Sequence, residues 1–317
     1  MKYSLNASIL IPNYNRANAL IQTLSALSEQ NVSPSSFEVI VVDDGSTDGS
    51  VARVRDMVLP FTLKILEQSN QGPGAARNRG TEIAESDLLV FLDADMIPAP
   101  DLLKGYMAMF NQYPRAIIIG RQTPWPKAYT KRFIQIYSSS LASDLGPISS
   151  EVEFHALASG NFGVDRQSFQ ALQGFDENLW MNEDVDLGFR ASKAGIKILY
   201  NPTCKGFHNH PKSPDQIFSQ IQKSAWWTAS MIKKHPEMSG QIPVYRIIDP
   251  ICWRNDPFNL IVGKVLTRLI SKPFFLTLLK MMLTFLERIS SNIRLIRYIR
   301  FKIEAGYRYI GFHEYFK

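Results

Sequence analysis

Two aspartates, Asp93 and Asp95, directly follow an apolar run at residues 88–92. Five apolar residues are too few for a helix and indicate a strand that is buried on both faces. Because a buried carboxylate without a partner is costly, this strand is expected to deliver both aspartates to solvent or to a cation. Alternate residues of an extended segment share one side, so both carboxylates are predicted to face a single diphosphate-bound metal ion. Two solvated loop aspartates are the alternative.

A second acidic pair, Glu183 and Asp184, precedes a helical pattern that continues toward Gly195. The pattern predicts a helix whose first turn holds both carboxylates and whose C′ residue is Gly195. Acidic side chains at a helix N-terminus are favoured by the helix dipole, which leaves a purely structural role open for Glu183. The same dipole is expected to keep Asp184 ionised at neutral pH, ready to accept a proton.

A sheet must position these carboxylates, and the pattern of the first hundred residues predicts one. Apolar strands near residues 7–11, 37–42, 61–66 and 88–92 alternate with helical segments, which indicates a mainly parallel α/β sheet flanked by helices. The carboxyl ends of such strands share one edge, where ligands bind. At that edge Asp43 and Asp44 are expected to accept hydrogen bonds from a base or ribose, and Arg77 lies one turn inside a helix that opens on glycines. Capping is the alternative for Asp43 and Asp48, and Ser46 or Asp48 is expected to cap the helix that follows.

Four short motifs carry a resemblance to a known family. They read Ile-Pro-Asn-Tyr-Asn at 11–15, Val-Asp-Asp-Gly-Ser at 42–46, Asn-Gln-Gly with Ala-Arg-Asn at 70–78, and Leu-Asp-Ala-Asp at 92–95. In order and spacing, from residue 7 to about 210, the chain resembles glycosyltransferase family 2, the inverting enzymes with the GT-A fold. The resemblance implies transfer of a hexose-type sugar from a nucleoside diphosphate donor, usually of uridine, to an acceptor hydroxyl.

The resemblance also implies site residues. Asp184 matches the catalytic carboxylate, and Asp95 would bind Mn²⁺ or Mg²⁺. Glu183 and Trp180 are assigned to the acceptor side, as is the variable region at 121–150. Donor-binding roles are implied for seven residues: Pro12, Tyr14, Asp44, Arg77, Asp93, Gly160 and Asn161.

Two histidines at i and i+2, His208 and His210, follow a strand predicted at 196–200. A single histidine is usually packed or solvated, but a pair in a chain with a metal motif favours a ligand. The family often supplies a histidine here as a third metal ligand; His208 is the first choice and His210 the second. An imidazole beside carboxylate oxygens would favour Mn²⁺.

The family's processive members carry Gln-x-x-Arg-Trp in a helix near residue 222. This chain has Gln222-Lys223-Ser224-Ala225-Trp226 and lacks the arginine. We therefore expect a single sugar transfer rather than polymer synthesis, onto a glycan or a lipid-linked acceptor of the cell envelope.

The charge of the chain is uneven. Residues 251–317 hold 12 Lys and Arg against 4 Asp and Glu, whereas the remainder is slightly acidic, although the whole chain carries +6. This argues against a basic nucleic-acid-binding face on residues 1–250, which we interpret as the GT-A domain. Residues 251–317 form a basic helical tail, in which Lys264, Arg268 and Lys272 are predicted to line one stripe. Basic amphipathic helices bind anionic membranes, so residues 259–310 are expected to do so unless they pack on the catalytic domain.

The start of the chain lacks the features of a signal peptide, and its two cysteines are far apart. We expect a cytoplasmic protein, bound peripherally to the inner face of the membrane. Two other function classes fit parts of the sequence. A membrane-attached protein that binds a nucleotide-sugar without turnover is disfavoured by the intact carboxylates. A nicotinamide-dependent oxidoreductase lacks Gly-x-Gly-x-x-Gly after the first strand, where 12–15 read Pro-Asn-Tyr-Asn.

Overall fold

The structure, a computed structural model, describes residues 6–127, 130–137, 145–242 and 245–317. The chain divides into two compact units. The first contains Met1–Lys131 and Ser138–His210, and the second contains Arg132–Tyr137 and Pro211–Lys317. This division falls after His210, earlier than the domain boundary expected at residue 250, which stays a prediction. Parts of the variable region at 121–150 lie outside the described residues.

The first unit alternates strands and helices, as the sequence pattern predicts. Its strands are β1 (Ala7–Asn13), β2 (Phe37–Asp43), β3 (Thr62–Glu67), β4 (Leu88–Leu92), β5 (Met96–Pro98), β6 (Ile117–Pro124), β7 (Ser150–Glu151), β8 (Asn161–Asp165) and β9 (Ile198–His208). Its helices are α1 (Ala17–Leu27), α2 (Ser50–Arg55), α3 (Pro73–Glu82), α4 (Leu102–Gln112), α6 (Arg166–Ala171) and α7 (Glu183–Lys193). α5 (Lys131–Tyr137) belongs almost entirely to the second unit.

These strands form one sheet in the order β3-β2-β1-β4-β8-β6-β9-β5, and β7 pairs with β9. β1, β2, β3 and β4 run parallel, and β6 is parallel to β9. β8 is antiparallel to both β4 and β6, and β9 is antiparallel to β5 and β7. The α/β fold class is confirmed, but the sheet is mixed rather than mainly parallel, because the regular strand–helix alternation ends at β4.

The core lies on both faces of the central strands. All five residues of β4 are buried, which confirms the strand predicted from its apolar run. Phe91 of β4 stacks on Phe162 of β8 with ring centroids 4.6 Å apart, and Phe175 meets Phe91 edge-on at 5.5 Å. This aromatic packing fixes β8 against β4, at the strand end where Asp93 begins.

Two expectations about this unit are wrong. Asp93, Ala94 and Asp95 form a turn between β4 and β5, closed by the Met96 N–H donating to the Asp93 carbonyl at 3.0 Å, so the alternation of an extended segment does not apply. The strand predicted at 196–200 runs to His208, because its second half pairs with β5 and with the end of β6.

The second unit is helical, with α8 (Pro214–Lys234), α9 (Phe258–Ile270), α10 (Pro273–Ile289) and α11 (Ile293–Glu314). α8 packs on α11, where Phe218 and Tyr307 stack with centroids 5.5 Å apart. Lys264, predicted to lie on an exposed basic stripe, is instead buried, and its ammonium donates to Asp256 at 2.8 Å and to the Pro250 carbonyl at 2.9 Å. The predicted stripe is therefore wrong at Lys264, because a buried ion pair satisfies its charge.

In the part of the chain that the structure describes, no single helix has both the length and the apolar composition needed to cross a membrane. α9 and α10, bent by 92° at the short break between them, meet that test as a pair.

A glycine at the centre of the sheet generates a stability prediction. A β-carbon on Gly120 would overlap the Cys204 carbonyl and the Asn161 amide, and would lie 2.7 Å from the Tyr106 hydroxyl. We expect Gly120→Ala to lower the free energy of unfolding by about 3 kcal/mol through overpacking. Chemical denaturation measures this.

The matched control is Gly74→Ala in α3. The nearest atom to its added methyl group would lie at 3.4 Å, an ordinary contact. We expect this control to change stability by less than about 1 kcal/mol. Equal stability of the two variants would contradict the packing described around Gly120.

Candidate active site

The ends of β1 and β2 form a hydrogen-bonded rim. Asn13 and Asp43 are paired in register, and the Asn13 amide donates to the Asp43 carboxylate at 2.7 Å. The Ser46 N–H donates to the other Asp43 oxygen at 2.8 Å, closing the turn after β2. Asp43 therefore has the structural role left open by the sequence.

Asp48 secures the starts of two helices. One carboxylate oxygen accepts the Ala17 N–H at the start of α1, at 2.9 Å, and the other accepts the Ser50 N–H at the start of α2, at 3.1 Å. Ser46 instead accepts the Asn15 N–H at 2.9 Å, so of the two expected capping residues Asp48 is the one that bonds to α2.

Asp44 is buried and holds the glycine loop before α3. Its carboxylate accepts the Gln71 N–H at 2.8 Å, the Gly72 N–H at 2.9 Å and the Gln68 amide at 2.8 Å. These donors fix the loop whose glycine-opened helix carries Arg77. The predicted contact of Asp44 with a nucleotide stays a prediction.

Asp93, Asp95 and His208 bring their ligand atoms together. One oxygen of each carboxylate and one ring nitrogen lie within 4.8 Å of one another. Among the described residues, no other group of three or more histidine, cysteine, aspartate or glutamate side chains lies close enough together to hold a metal ion. β5 pairs with β9 in a register that sets Met96 opposite His208, so the sheet places the imidazole beside the turn. His208 Nε2 lies 3.6 Å from Asp95 Oδ1.

This arrangement fits a divalent cation. Two carboxylates and an imidazole are ligands that Mn²⁺ accepts, and the group stands at the carboxyl end of the strands. The geometry distinguishes the two histidines, because His210 Nε2 lies 3.3 Å from the Arg16 guanidinium and is not in the group. Ligation by Asp95 and His208 stays a prediction, and so does the expectation that Asp93 faces the same ion.

Arg77 connects this turn to the start of α7. Its guanidinium donates to Asp93 at 2.7 Å and to Glu183 at 2.8 Å, and the residue is only 3% exposed. The arginine also lies over the Phe175 ring, 5.4 Å from its centroid. Burial disfavours the cation, but the charges of Asp93 and Glu183 outweigh this and raise the pKa of Arg77. The guanidinium is thus a fixed positive charge between two carboxylates.

Asp184 lies beside Glu183 in the first turn of α7. Its carboxylate accepts hydrogen bonds from the Ser159 N–H at 2.9 Å and from the N–H of the next residue, Val185, at 2.8 Å. Burial and the adjacent Glu183 charge raise the pKa of Asp184 to about 7, against these two hydrogen bonds and the charge of Arg77. The expectation that the helix dipole keeps Asp184 fully ionised at neutral pH is therefore wrong. A carboxylate with this pKa suits proton transfer near pH 7.

The other predicted residues lie at different depths. Tyr14 and Trp180 are exposed, and Trp180 covers Gly72 of the glycine loop. Asn161 is fully buried, and its side chain bonds to the Tyr106 hydroxyl at 2.8 Å and to the Cys204 carbonyl at 2.8 Å.

The remaining predicted residues also have structural contacts. A β-carbon on Gly160 would lie 2.6 Å from a carboxylate oxygen of Asp93, so any larger residue at position 160 would force that carboxylate to move. Glu183 is buried and accepts the Ser159 hydroxyl at 3.1 Å besides Arg77. Pro12 stands at the end of β1, partly exposed. The donor and acceptor roles assigned to these residues stay predictions.

Sequence reasoning missed two residues of the site. Arg16 directs a guanidinium nitrogen to within 3.8 Å of Asp95, and Ser159 bonds to Asp184 through its N–H and to Glu183 through its hydroxyl. Arg16 follows the first motif directly, which was the available signal. Ser159 directly precedes Gly160 and Asn161, to which the resemblance assigns donor-binding roles, and that position was the available signal.

The fold and the acidic site define a class, the glycosyltransferases of GT-A type. A family model, "Glycosyl transferase family 2", matches residues 8–172, just over half of the chain. The chain therefore belongs to glycosyltransferase family 2, whose enzymes invert the configuration of the transferred sugar. The resemblance seen in the motifs is confirmed.

Similar proteins agree with this class. The validoxylamine A glucosyltransferase of Streptomyces hygroscopicus subsp. limoneus is 26% identical over 266 residues, which are 74% of this chain and 58% of that relative. A Pyrobaculum calidifontis mannosyltransferase, solved with GDP-Man and Mn²⁺, has a TM-score of 0.63 at 17% identity over 96% of this chain and 86% of that one. S. aureus TarS, residues 1–349, solved with UDP, has a TM-score of 0.55 at 18% identity over 98% and 91%. The two solved structures support the GT-A fold.

The buried position of Arg77 gives a prediction about stability. Arg77→Met leaves Asp93 and Glu183 without their shared cation, so we expect the free energy of unfolding to fall by about 3–5 kcal/mol. Chemical denaturation at neutral pH measures this. Adding Glu183→Gln to the same variant should recover part of the loss, because one uncompensated charge is then removed.

Arg79→Met in the same helix is the matched control. Arg79 is more exposed than Arg77, so the control is expected to cost less than about 1 kcal/mol. A loss for Arg77→Met no larger than that of the control would show that the two ion pairs are not as described.

Proposed function

We propose that the protein is a metal-dependent inverting glycosyltransferase that moves one sugar from a nucleoside diphosphate donor to an acceptor hydroxyl. The observation that carries this proposal is the buried Arg77, which ties the Asp93 turn to the helix start that bears Asp184. A single cation therefore fixes the predicted donor carboxylate relative to the residues beside the predicted base.

Asp184 is the proposed general base. Its carboxylate takes the proton of the acceptor hydroxyl, whose oxygen attacks the anomeric carbon on the face opposite the diphosphate. The bond from that carbon to the phosphate oxygen breaks, and its electron pair leaves with the nucleoside diphosphate. One bond forms as the other breaks, so the configuration of the sugar is inverted. The pKa of about 7 lets Asp184 accept the proton near neutral pH and release it after transfer.

Asp95 and His208, with Asp93, are the residues proposed to hold Mn²⁺ or Mg²⁺. A bound divalent ion supplies positive charge that stabilises the departing diphosphate. Arg16 is a second cationic group at this place, and its guanidinium is positioned by Asp95 and His210. Arg16 is therefore expected to contact a diphosphate oxygen of the donor.

The nucleotide is proposed to be a uridine diphosphate. The family resemblance favours it, and TarS, of similar fold, binds UDP, whereas the similar mannosyltransferase binds GDP-Man. Tyr14, exposed after β1, and Asp44 with its glycine loop are the proposed contacts of the nucleoside. Asp44 would act chiefly by holding that loop.

The acceptor is proposed to be a glycan or a lipid-linked glycan of the cell envelope, reached by peripheral attachment to the cytoplasmic face of a membrane through residues 259–310. The excess of basic residues in 251–317 supports an anionic membrane as the partner. Nucleic acid is not a proposed partner.

A donor panel tests the proposed reaction. Nucleotide release from UDP-, GDP- and dTDP-sugars, with Mn²⁺ or with EDTA, should occur for one donor and stop in EDTA. Asp95→Asn should weaken Mn²⁺ binding by about 10–100-fold, measured by electron paramagnetic resonance of free Mn²⁺, because a charged ligand becomes neutral.

Asp101→Asn serves as the control for this experiment, since Asp101 is exposed at the start of α4 and bonds to Asn31. Release that is unaffected by EDTA would contradict metal dependence. Metal-dependent UDP binding without release from any donor, also with lipid and glycan acceptors present, would instead favour a nucleotide-sugar-binding protein.

The raised pKa of Asp184 predicts the pH dependence of transfer. Only the deprotonated carboxylate accepts the acceptor proton, so kcat/KM should rise with pH and level off above about 7. Asp184→Asn should lower kcat by about 10²–10⁴-fold and remove this limb of the profile. Asp101→Asn should keep both rate and profile, and full activity of Asp184→Asn would remove the assigned base.

A further inference from the structure

The second unit exposes the apolar side of α9. The polar or charged residues Lys264 and Thr267 face inward and are buried, which is the reverse of an ordinary surface helix. The exposed large apolar residues recur at helical spacing: Phe258, Val262, Val265, Leu266 and Leu269. Because Lys264 satisfies its charge inside the unit, the outward apolar stripe is a consequence of how this helix packs.

α10 repeats this arrangement. Its inner side buries Leu276 and Leu283, so the helix is anchored to the core of the unit. Its outer side shows a second apolar stripe at the same spacing, consisting of Phe274, Leu278, Met281, Met282, Phe285 and Ile289. The two stripes belong to consecutive helices, and together they are called the α9–α10 apolar face.

Such a face is costly in water. Soluble monomers seldom expose a large set of apolar side chains, and patches of this kind with a polar rim mark a membrane or protein contact. Phe274 is 71% exposed and Phe285 is 60% exposed, so each loses much of the stabilisation that burial would provide. The face therefore requires an occupant.

Charge identifies the occupant. Two exposed basic residues lie beside the face: Lys272, in the break between the two helices, and Arg288, near the end of α10. Three acidic residues of the unit are engaged in pairs: Asp256 with Lys264, Asp215 with Lys280 of α10, and Glu287 as acceptor of the Tyr137 hydroxyl at 2.9 Å.

Glu304 is likewise buried, between Arg300 and Arg308. Two copies joined through this face would bring like charges together, whereas an anionic lipid surface complements them.

We propose that the α9–α10 apolar face inserts into the surface layer of an anionic membrane, with Lys272 and Arg288 at the level of the lipid phosphates. This proposal specifies how the membrane attachment proposed above would occur. It rests on the proposed function in one respect, namely that the attachment brings the enzyme to a lipid-linked acceptor. Hydrophobic insertion, rather than the basic stripe predicted from the sequence, would then carry the binding.

Vesicle flotation of the full chain tests the proposal. The wild-type protein should float with vesicles of phosphatidylcholine and phosphatidylglycerol, and less with phosphatidylcholine alone. The Phe274→Ser/Phe285→Ser variant should bind at least about tenfold more weakly to either, because two apolar anchors are lost. Lys272→Glu/Arg288→Glu should remove only the preference for anionic vesicles.

The matched control is Val58→Ser/Ile148→Ser, which replaces two exposed apolar residues of the first unit. It should float like the wild type. Vesicle binding by the Phe274→Ser/Phe285→Ser variant that equals wild-type binding would overturn the proposal. A stable wild-type dimer that this variant breaks would also overturn it, because the face would then be occupied by a second copy of the chain.

The metal-dependent release of nucleotide without lipid separates this proposal from the proposed function. The Phe274→Ser/Phe285→Ser variant should retain the wild-type rate in that assay. Loss of flotation with normal release would support the insertion face, and an inactive wild-type protein that still floats would overturn only the proposed function.

Discussion

The buried guanidinium of Arg77 is the constraint on which the rest of the site depends. It stands between Asp93, in the turn after β4, and Glu183, at the start of α7. Both carboxylates are at least partly shielded from water, so solvent alone does not fully stabilise their negative charges. The arginine supplies the compensating positive charge. The sheet and α7 are therefore joined through this ion-paired arginine, while Phe175, in the segment before α7, packs on Phe91 of the sheet.

This constraint also sets the chemistry of Asp184. Arg77 and two N–H donors favour its charged form, while burial and the neighbouring Glu183 disfavour it, and the balance is a pKa of about 7. Because Arg77 is shared by Glu183, part of its charge is already compensated before Asp184 is reached. A group that is held between these opposing effects can bind a proton and release it, which a fully solvated aspartate with its ordinary pKa does poorly at neutral pH.

The second unit follows a different rule. Its core contains charged groups, such as Lys264 and Arg300, while its outer helices expose apolar ones. The buried charges are compensated locally, Lys264 by Asp256 and Arg300 by Glu304, so the unit folds around them and leaves an apolar surface outside. Such an arrangement is suited to a less polar environment on one side of the unit. It also explains why the pattern of charged and apolar residues in the sequence did not predict which side chains of the tail are buried.

The sequence by itself determined the family, the order of the first strands and the place of the acidic motifs, because strand-length apolar runs and polar loop ends are local features. It placed Asp93, Asp95 and His208 near one another through motif order, although the reason given for the aspartates was wrong. Only the tertiary structure decided that a turn aligns them, that β9 extends to His208, and that Asp184 has a raised pKa. Pairing across β5 and β9, and the burial of Arg77 beside α7, join residues about a hundred positions apart or more, and such contacts leave no periodicity in the chain.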